Sequence, residues 1–250
     1  YLERRMGLSY SEEETMVTIG GSEAIDMMIR AVIDPGDEVL IPEPCYVSYD
    51  PIARLTGAKV VSIPTRFEDD FRLTAEALKA AITPKSKLLI FPYPNNPTGG
   101  IMEREDLEAI AEVLRDTNIL VLSDEIYAEL TYGQRHVSMA NLEEMYDRTI
   151  VVNGFSKSHA MTGWRMGYVC APKPIIQCLT KLHQFGIMSA PTVSQYAAIE
   201  AMRNGDRDIE HMREEYDSRR RYLVENLRRI GLSCFEPKGA FYVFPDIRST

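Results

Sequence analysis

The sequence has few of the residues that build metal sites and disulfide frameworks. Its 250 residues include four cysteines and four histidines, with no C-x-x-C pair and no ligand-like spacing between the two residue types. Scattered cysteines are typical of proteins from a reducing compartment, and this pattern excludes the usual zinc motifs. We therefore expect a cytoplasmic protein that binds no metal.

Long apolar runs and an excess of basic residues are missing as well. No run of about 18 apolar residues occurs, which argues against a transmembrane helix. The first residues are charged, unlike a signal peptide. Lysine and arginine total 28 against 37 aspartates and glutamates, a formal net charge of −9. Since nucleic acids and anionic membranes would be repelled, we expect neither as a partner.

What the sequence does contain is an alternation of short apolar runs with amphipathic helical stretches. The predicted strands are residues 16–19, 38–41, 58–63, 87–91, 118–123, 149–153 and 166–171. Helices are predicted over residues 22–33, with Ser22 as N-cap, and over 104–116. Apolar strands separated by helices predict a parallel sheet covered on both faces. We expect a three-layer α/β/α fold with a mostly parallel sheet.

The sequence pattern changes after residue 204. Residues 205–230 form one long, highly charged helical pattern, and residues 233–247 resemble a pair of strands. We divide the chain into the end of an N-terminal segment (1–11), a large domain (12–215), and a connector helix with the start of a small α+β domain (216–250).

Polar residues that could carry chemistry follow several predicted strands. A Gly-Gly-Ser turn precedes the first helix, Asp124 and Tyr127 follow the fifth strand, and Lys157 follows the sixth, with Arg165 eight residues on. Ligands of doubly wound sheets bind at the carboxyl ends of strands, and a helix N-terminus suits a phosphate. A surface ion pair or a plain turn would explain any one of these residues. Together they predict one site, and the sequence has no G-x-S-x-G, P-loop, G-x-G-x-x-G or H-E-x-x-H motif that would compete with it.

Taken together, these segments make the sequence resemble the class I/II aminotransferases, which are pyridoxal 5′-phosphate (PLP) enzymes of fold type I. The matching segments stand in family order: GGSEA, PCY, NNPTGG, SDEIYAEL, NGFSKSHAMTGWRMGY and PKGAFYVF. The resemblance implies a homodimer that moves an amino group between an amino acid and a 2-oxo acid. It does so in a ping-pong cycle between PLP and its amine form.

The resemblance also implies a role for each matching residue. Lys157 would be the Schiff-base lysine and would move the substrate's α-proton, Asp124 would pair with the pyridinium nitrogen, and Tyr127 would bond the ring oxygen. The other implied cofactor-binding residues are Tyr46, Asn96 and Ile126 around the ring, Gly21, Ser22, Ser156 and Arg165 around the phosphate, and Glu23 in the GGSEA loop.

Two family features have no match in the sequence. The family's phosphate-binding tyrosine lies upstream of the GGS loop, and its arginine for the substrate α-carboxylate lies in the small domain. We therefore expect this chain to be a fragment that lacks the N-terminal arm and most of the small domain. By itself it should bind PLP weakly and turn over poorly.

Alternatives to transamination stay open at this stage. One is a PLP-dependent C–S β-lyase of the same fold, and another is an aminotransferase-like effector domain of a transcription regulator. The amino acid substrate is open too. Residues 181–195 contain no arginine, which argues against one way of binding aspartate across a dimer.

Overall fold

The computed structural model describes residues 1–248 and builds them around one seven-stranded sheet. The strands are β1 (Thr15–Thr18), β2 (Glu38–Glu43), β3 (Lys59–Pro64), β4 (Ser86–Phe91), β5 (Leu120–Asp124), β6 (Thr149–Gly154) and β7 (Gly167–Cys170). Their order is β1-β7-β6-β5-β4-β2-β3, and only β7 runs antiparallel to its neighbours. The predicted, mostly parallel sheet is confirmed, with every strand end within two residues of its expected position.

Helices cover both faces of this sheet. They are α1 (Leu2–Met6), α2 (Gly21–Val32), α3 (Tyr49–Leu55), α4 (Ala75–Ala81), α5 (Arg104–Leu114), α6 (Phe155–Ser158), α7 (Lys173–Gly186), α8 (Thr192–Asn204) and α9 (Asp206–Arg229). The long charged pattern does form a single helix, α9, and both amphipathic predictions correspond to helices. The other helices, among them α7 and α8 after β7, were not predicted from the sequence.

Side chains of the central strands alternate between two hydrophobic cores. In β2, Val39 and Ile41 pack with residues of α2, α3 and α7, whereas Leu40 packs with residues of α4 and α5. In β4, Ile90 packs in the same core as Val39 and Ile41, and Leu89 packs in the same core as Leu40. Because successive side chains of a strand point to opposite faces, a strand that is apolar throughout must be covered on both sides. The predicted three-layer α/β/α fold is confirmed.

Two local predictions are wrong. Ser22 is not the N-cap of α2, because the helix already begins at Gly21 and Gly20 occupies the cap position with no side-chain cap. The second error concerns residues 233–247, which were predicted to form a pair of strands. Within the described part of the chain they form only isolated bridges, Thr131 with Gly239 and Ser233 with Asp246. Their aromatic rings pack on earlier segments of the chain instead, as Phe241 does on Tyr127 with ring centroids 5.2 Å apart.

The residues that could carry chemistry lie together where the parallel strands end, at the carboxyl-terminal edge of the sheet. Asp124 is the last residue of β5, and α6, which contains Lys157, follows directly on the last residue of β6. In open α/β sheets this edge is where ligands bind. Among residues 1–248, no helix is both long and apolar enough to cross a membrane, and no group of three or more His, Cys, Asp or Glu is arranged to hold a metal ion.

Candidate active site

One cavity of about 300 Å³ lies at the carboxyl ends of the central strands. It brings together ten of the eleven residues that the sequence analysis selected, and Glu23 is the exception. The lining residues are Gly21, Ser22, Ile25, Tyr46, Tyr49, Pro92, Pro94, Asn96, Asp124, Ile126, Tyr127, Ser156, Lys157, Thr162, Arg165 and Tyr242.

The deepest charged group of the cavity is Asp124, which is 7% exposed. Its Oδ1 accepts a 3.2 Å hydrogen bond from the amide of Ile126, and its Oδ2 accepts a 2.7 Å bond from the hydroxyl of Tyr49. Burial raises the pKa of the carboxyl group, while these two donors favour the anion and lower it. Two donors fix this carboxylate, and none of the ion pairs found among residues 1–248 involves it. It is therefore suited to pair with a cationic N–H group of a ligand.

Lys157 reaches the cavity from the short helix α6. Its Nζ lies 5.8 Å from the ring centroid of Tyr127 and 5.4 Å from that of Phe241. The side chain is half-buried, and none of the ion pairs found in the described residues involves its amine. An amine that is flanked by aromatic rings rather than carboxylates can act on a ligand in the cavity.

The opposite end of the cavity is built for an anion. Gly20 precedes α2 with φ 77° and ψ 169°, and a Cβ at this position would lie only 2.6 Å from Nη2 of Arg165. The glycine therefore allows the guanidinium to lie directly against the first turn of α2. Since that turn has no side-chain cap, its free N–H groups, those of Gly21 and Ser22, combine with Arg165 into a cradle of positive charge.

Tyr127 and Asn96 supply neutral polar groups between these two ends. The hydroxyl of Tyr127 is 2.7 Å from the hydroxyl of Tyr242, and burial raises its pKa. Asn96 faces the cavity, whereas the neighbouring Asn95 is used in the turn, where its side chain accepts bonds from the amide and hydroxyl of Thr98. The two adjacent asparagines thus have separate tasks, and only Asn96 can contact a ligand.

Glu23 is the residue that the sequence analysis assigned to the cofactor and that the cavity does not include. Its carboxylate points away, with Oε2 2.5 Å from the amide of Ile19 and Oε1 2.8 Å from Nδ1 of His183. Its side chain therefore does not line the cavity, and the cofactor-binding role of Glu23 remains a prediction. A carboxylate beside an anion cradle would repel the ligand, and here it is turned behind the loop instead.

Two tyrosines of the cavity were missed from the sequence. Tyr49 stands three residues after Tyr46, at the start of α3, and the two rings meet edge-on with centroids 5.6 Å apart. Tyr242 belongs to the PKGAFYVF segment, which was used only as a family marker. The spacing of Tyr46 and Tyr49 was a usable signal, because residues three apart in a helical turn share a face.

The lining of the cavity fits PLP. The ligand's phosphate matches the cradle of α2 and Arg165, its aldehyde needs the amine of Lys157, and its ring nitrogen needs a buried carboxylate such as Asp124. The close contact of Gly20 with Arg165, which a single Cβ would fill, is the structural observation that favours a bound phosphate. Tyr46 and Ile126 provide apolar surface for a flat ring.

Comparisons with known proteins agree with this geometry. The family model for aminotransferase class I and II matches residues 1–250. The putative aminotransferase YugH of Bacillus subtilis is 47% identical over the whole chain, and the probable N-acetyl-LL-diaminopimelate aminotransferase of the same organism is 46% identical. The chain spans 65% and 63% of the lengths of these two relatives.

Solved structures show the same fold. An aromatic aminotransferase from Pyrococcus horikoshii superposes with a TM-score of 0.95 at 43% identity, covering 99% of this chain and 67% of its own. The aspartate aminotransferase of Thermus thermophilus with maleate superposes with a TM-score of 0.94 at 40% identity, covering 98% of this chain and 64% of its own. From the family match, the sequence identities and the shared architecture, the chain belongs to the class I and II aminotransferases.

Proposed function

We propose that the protein is a PLP-dependent aminotransferase (EC 2.6.1) that exchanges the amino group of an amino acid with the oxygen of a 2-oxo acid. One observation carries the proposal: Lys157, Asp124 and the anion cradle of α2 and Arg165 open onto one cavity. An amine, a buried carboxylate and a phosphate cradle together satisfy the three recognition groups of PLP.

The residues that line the cavity then have different roles in the reaction. When bound, PLP supplies an electron-accepting ring that stabilises negative charge on the substrate's α-carbon. Lys157 would hold the cofactor through its Nζ, and the same amine would take the proton from the substrate's α-carbon and hold it for return. The aromatic rings of Tyr127 and Phe241, whose centroids lie 5.8 and 5.4 Å from its Nζ, give this amine an apolar surrounding.

Asp124 and its neighbours orient the ring. The carboxylate of Asp124 would pair with the ring nitrogen and favour its protonated form, which the ring requires in order to accept electrons. The hydroxyl of Tyr127 and the amide of Asn96 would bind the ring oxygen, and Tyr46 and Ile126 would supply the apolar surface around the ring. The fixed donors on Asp124, one of them from Tyr49, support this assignment because they hold the carboxylate in one orientation.

The residues that would hold the phosphate are Gly21 and Ser22 through their amides, Ser156 through its hydroxyl and Arg165 through its guanidinium. Arg165 donates a 2.9 Å bond from Nη1 to the carbonyl of Thr162, which leaves its Nη2 edge free toward Gly20. A guanidinium fixed on one edge presents the other to an oxyanion with little loss of side-chain entropy.

We further infer that the protein works as a homodimer in the cytoplasm. Large apolar side chains between residues 185 and 196 are exposed: Phe185 by 92%, Met188 by 80%, Val193 by 72% and Tyr196 by 71%. A contiguous stretch of this kind is typical of an interface. Sedimentation of the wild-type protein should give a dimer mass, and Phe185→Asp should shift the equilibrium toward monomer. A wild-type monomer at micromolar concentration would contradict this inference.

The substrates are an amino acid and a 2-oxo acid. The relatives carry names for aspartate, aromatic and N-acetyl-LL-diaminopimelate aminotransferases. A panel of amino donors, each assayed with 2-oxoglutarate and with pyruvate, identifies the preferred pair for the full-length protein.

The decisive experiment is a spectrum of the full-length protein with PLP. We expect an imine absorbance band that Lys157→Ala abolishes together with transamination. Lys79→Ala changes an exposed lysine of α4 and should leave both unchanged. If Lys157→Ala retains transamination, or if the wild-type protein forms no imine, the proposed function is wrong.

A further inference from the structure

We propose that Glu23 is a positioning residue that, together with His183, fixes the shape of the phosphate loop from behind. The proposal rests on the proposed function only in naming phosphate as the bound group. The position of the loop itself is a property of the chain.

The carboxylate of Glu23 joins two separate elements. Oε2 accepts a hydrogen bond from the amide of Ile19, the residue after β1, and Oε1 bonds Nδ1 of His183 in α7. The side chains of Glu23 and His183 are only 12% and 10% exposed. Two nearly buried groups with short, specific bonds hold their positions far better than an exposed pair would.

The amide that Glu23 binds directly precedes the residue with the unusual backbone. Gly20, with φ 77° and ψ 169°, turns the chain from β1 into α2. A carboxylate at the third helical position that reaches back to an amide before the helix replaces a conventional side-chain cap. Ser22 therefore does not cap the helix, and the amides of its first turn stay free for a ligand.

His183 connects this loop to the α2–α7 packing. Ile176 and Leu179 of α7 and Ile25 of α2 share one hydrophobic core, so α7 is a firm support. Its imidazole holds the carboxylate of Glu23 from the side opposite the cavity. The loop is thus tied to α7, none of whose described residues lines the cavity.

Charge and position predict opposite effects when the carboxylate is removed. On Coulombic grounds alone, losing a negative charge near the cradle should tighten phosphate binding. If Glu23 acts by position, losing it should weaken binding, because the loop amides no longer converge. The sign of the effect therefore distinguishes the two roles.

The test compares PLP with pyridoxal, which lacks the phosphate, on the full-length protein. We expect Glu23→Ala to weaken PLP binding about tenfold, equivalent to about 1.4 kcal/mol, with pyridoxal binding essentially unchanged. Glu23→Gln keeps an oxygen for the amide of Ile19 and should restore most of the affinity. His183→Phe should weaken PLP binding in the same direction, and the double variant with Glu23→Ala should lose less than the sum.

Amide hydrogen exchange of the cofactor-free protein gives a second readout that does not need PLP. Exchange across residues 19–23 should accelerate in Glu23→Ala and return toward the wild-type rate in Glu23→Gln. Unchanged exchange in Glu23→Ala, tighter PLP binding, or equal losses for PLP and pyridoxal would overturn the proposal. If the wild-type protein binds no PLP, the proposed function fails, and the exchange rates still decide the role of Glu23.

Discussion

The hydroxyl of Tyr49 donates a 2.7 Å hydrogen bond to Oδ2 of Asp124, and both side chains are buried. Burial raises the pKa of Asp124 above its ordinary 3.8, and the bond from Tyr49 opposes that rise. Tyr49 is itself held as the neutral donor, because burial raises the pKa of its phenol well above the ordinary range. The sequence therefore provides a donor that stabilises the charge of Asp124 in the folded chain.

The Tyr49→Phe variant tests this relationship through pH. A carboxyl group whose folded pKa is raised stabilises the fold below its unfolded pKa, and this stability is lost as the pH rises through the folded pKa. Removing the donor raises the folded pKa of Asp124 further, so the loss extends to higher pH. We expect the cofactor-free variant to be less stable at pH 7 by about 1.5–3 kcal/mol, with a smaller difference near pH 4.

Urea unfolding at several pH values measures that difference. Tyr222→Phe removes a hydroxyl from a tyrosine that is 68% exposed and should leave stability unchanged at each pH. A stability difference for Tyr49→Phe that does not vary between pH 4 and pH 7 would show that the bond does not act on the charge of Asp124.

Patterns within single elements were readable from the sequence. The apolar strands predicted the sheet, and the polar residues after them predicted the site, because the topology of a parallel sheet brings strand ends together. Contacts between distant segments were not readable. The orientation of Glu23 toward His183 depends on α7, which lies 160 residues further along the chain. Nothing local in GGSEA distinguishes a ligand contact from a bond behind the loop.

The conformation of the segment after α9 was also not predictable from its own sequence. Its alternating aromatic residues predicted strands, since Phe and Tyr favour extended chain. In the fold, Phe235 packs on Phe71 with centroids 5.4 Å apart, and Phe241 packs on Tyr127. Packing against the large domain determines the conformation of this segment more than its own propensity does.

Gly20→Ala should disrupt the anion cradle. The new Cβ would lie 2.6 Å from Arg165, in a backbone conformation with φ 77° that residues with side chains rarely adopt. We expect a stability loss of about 1–3 kcal/mol and displacement of Arg165. PLP affinity of the full-length protein, measured by fluorescence titration, should fall with it.

Gly163→Ala is the matched control for this change. No atom lies within 4 Å of a Cβ at Gly163, and its φ is not in the left-handed region. PLP affinity should therefore stay at the wild-type value. Equal affinities for the two variants would show that Arg165 does not need the space at Gly20.

Substitution of Glu125, which is next to Asp124, should have a large effect on the free energy of unfolding. Its side chain is fully buried, with Oε1 bonded to the hydroxyls of Ser123 and Ser138 and Oε2 3.1 Å from Nε2 of His136. Glu125→Leu leaves the hydroxyls of Ser123 and Ser138 without their acceptor, so we expect a loss of about 1–3 kcal/mol for each of them in urea unfolding. Glu125→Gln keeps an acceptor oxygen and should lose less.

An exposed glutamate provides the comparison for Glu125. Glu105→Leu, on the outer face of α5, should change the free energy of unfolding by no more than about 0.5 kcal/mol. If Glu125→Leu is as mild as this control, the buried network does not hold the end of β5, where Asp124 lies.

The cysteines differ in reactivity, and the difference offers a labelling site away from the cavity. Burial raises the pKa of Cys45 and of Cys170 to about 12, whereas Cys178 is exposed on α7. A thiol with that pKa is about one part in 10,000 thiolate at pH 8, and only the thiolate reacts. We expect iodoacetamide at pH 8 to label Cys178 well before the other two, as measured by peptide mass spectrometry.

Unfolding the chain in guanidinium chloride should remove this selectivity, because the raised pKa values depend on burial in the fold. Cys178→Ser should eliminate the fast phase in the folded protein. Labelling of Cys45 as fast as that of Cys178 would mean that the PCY turn opens to solvent. In that case Tyr46, the next residue, could not present a fixed face to a ring in the cavity.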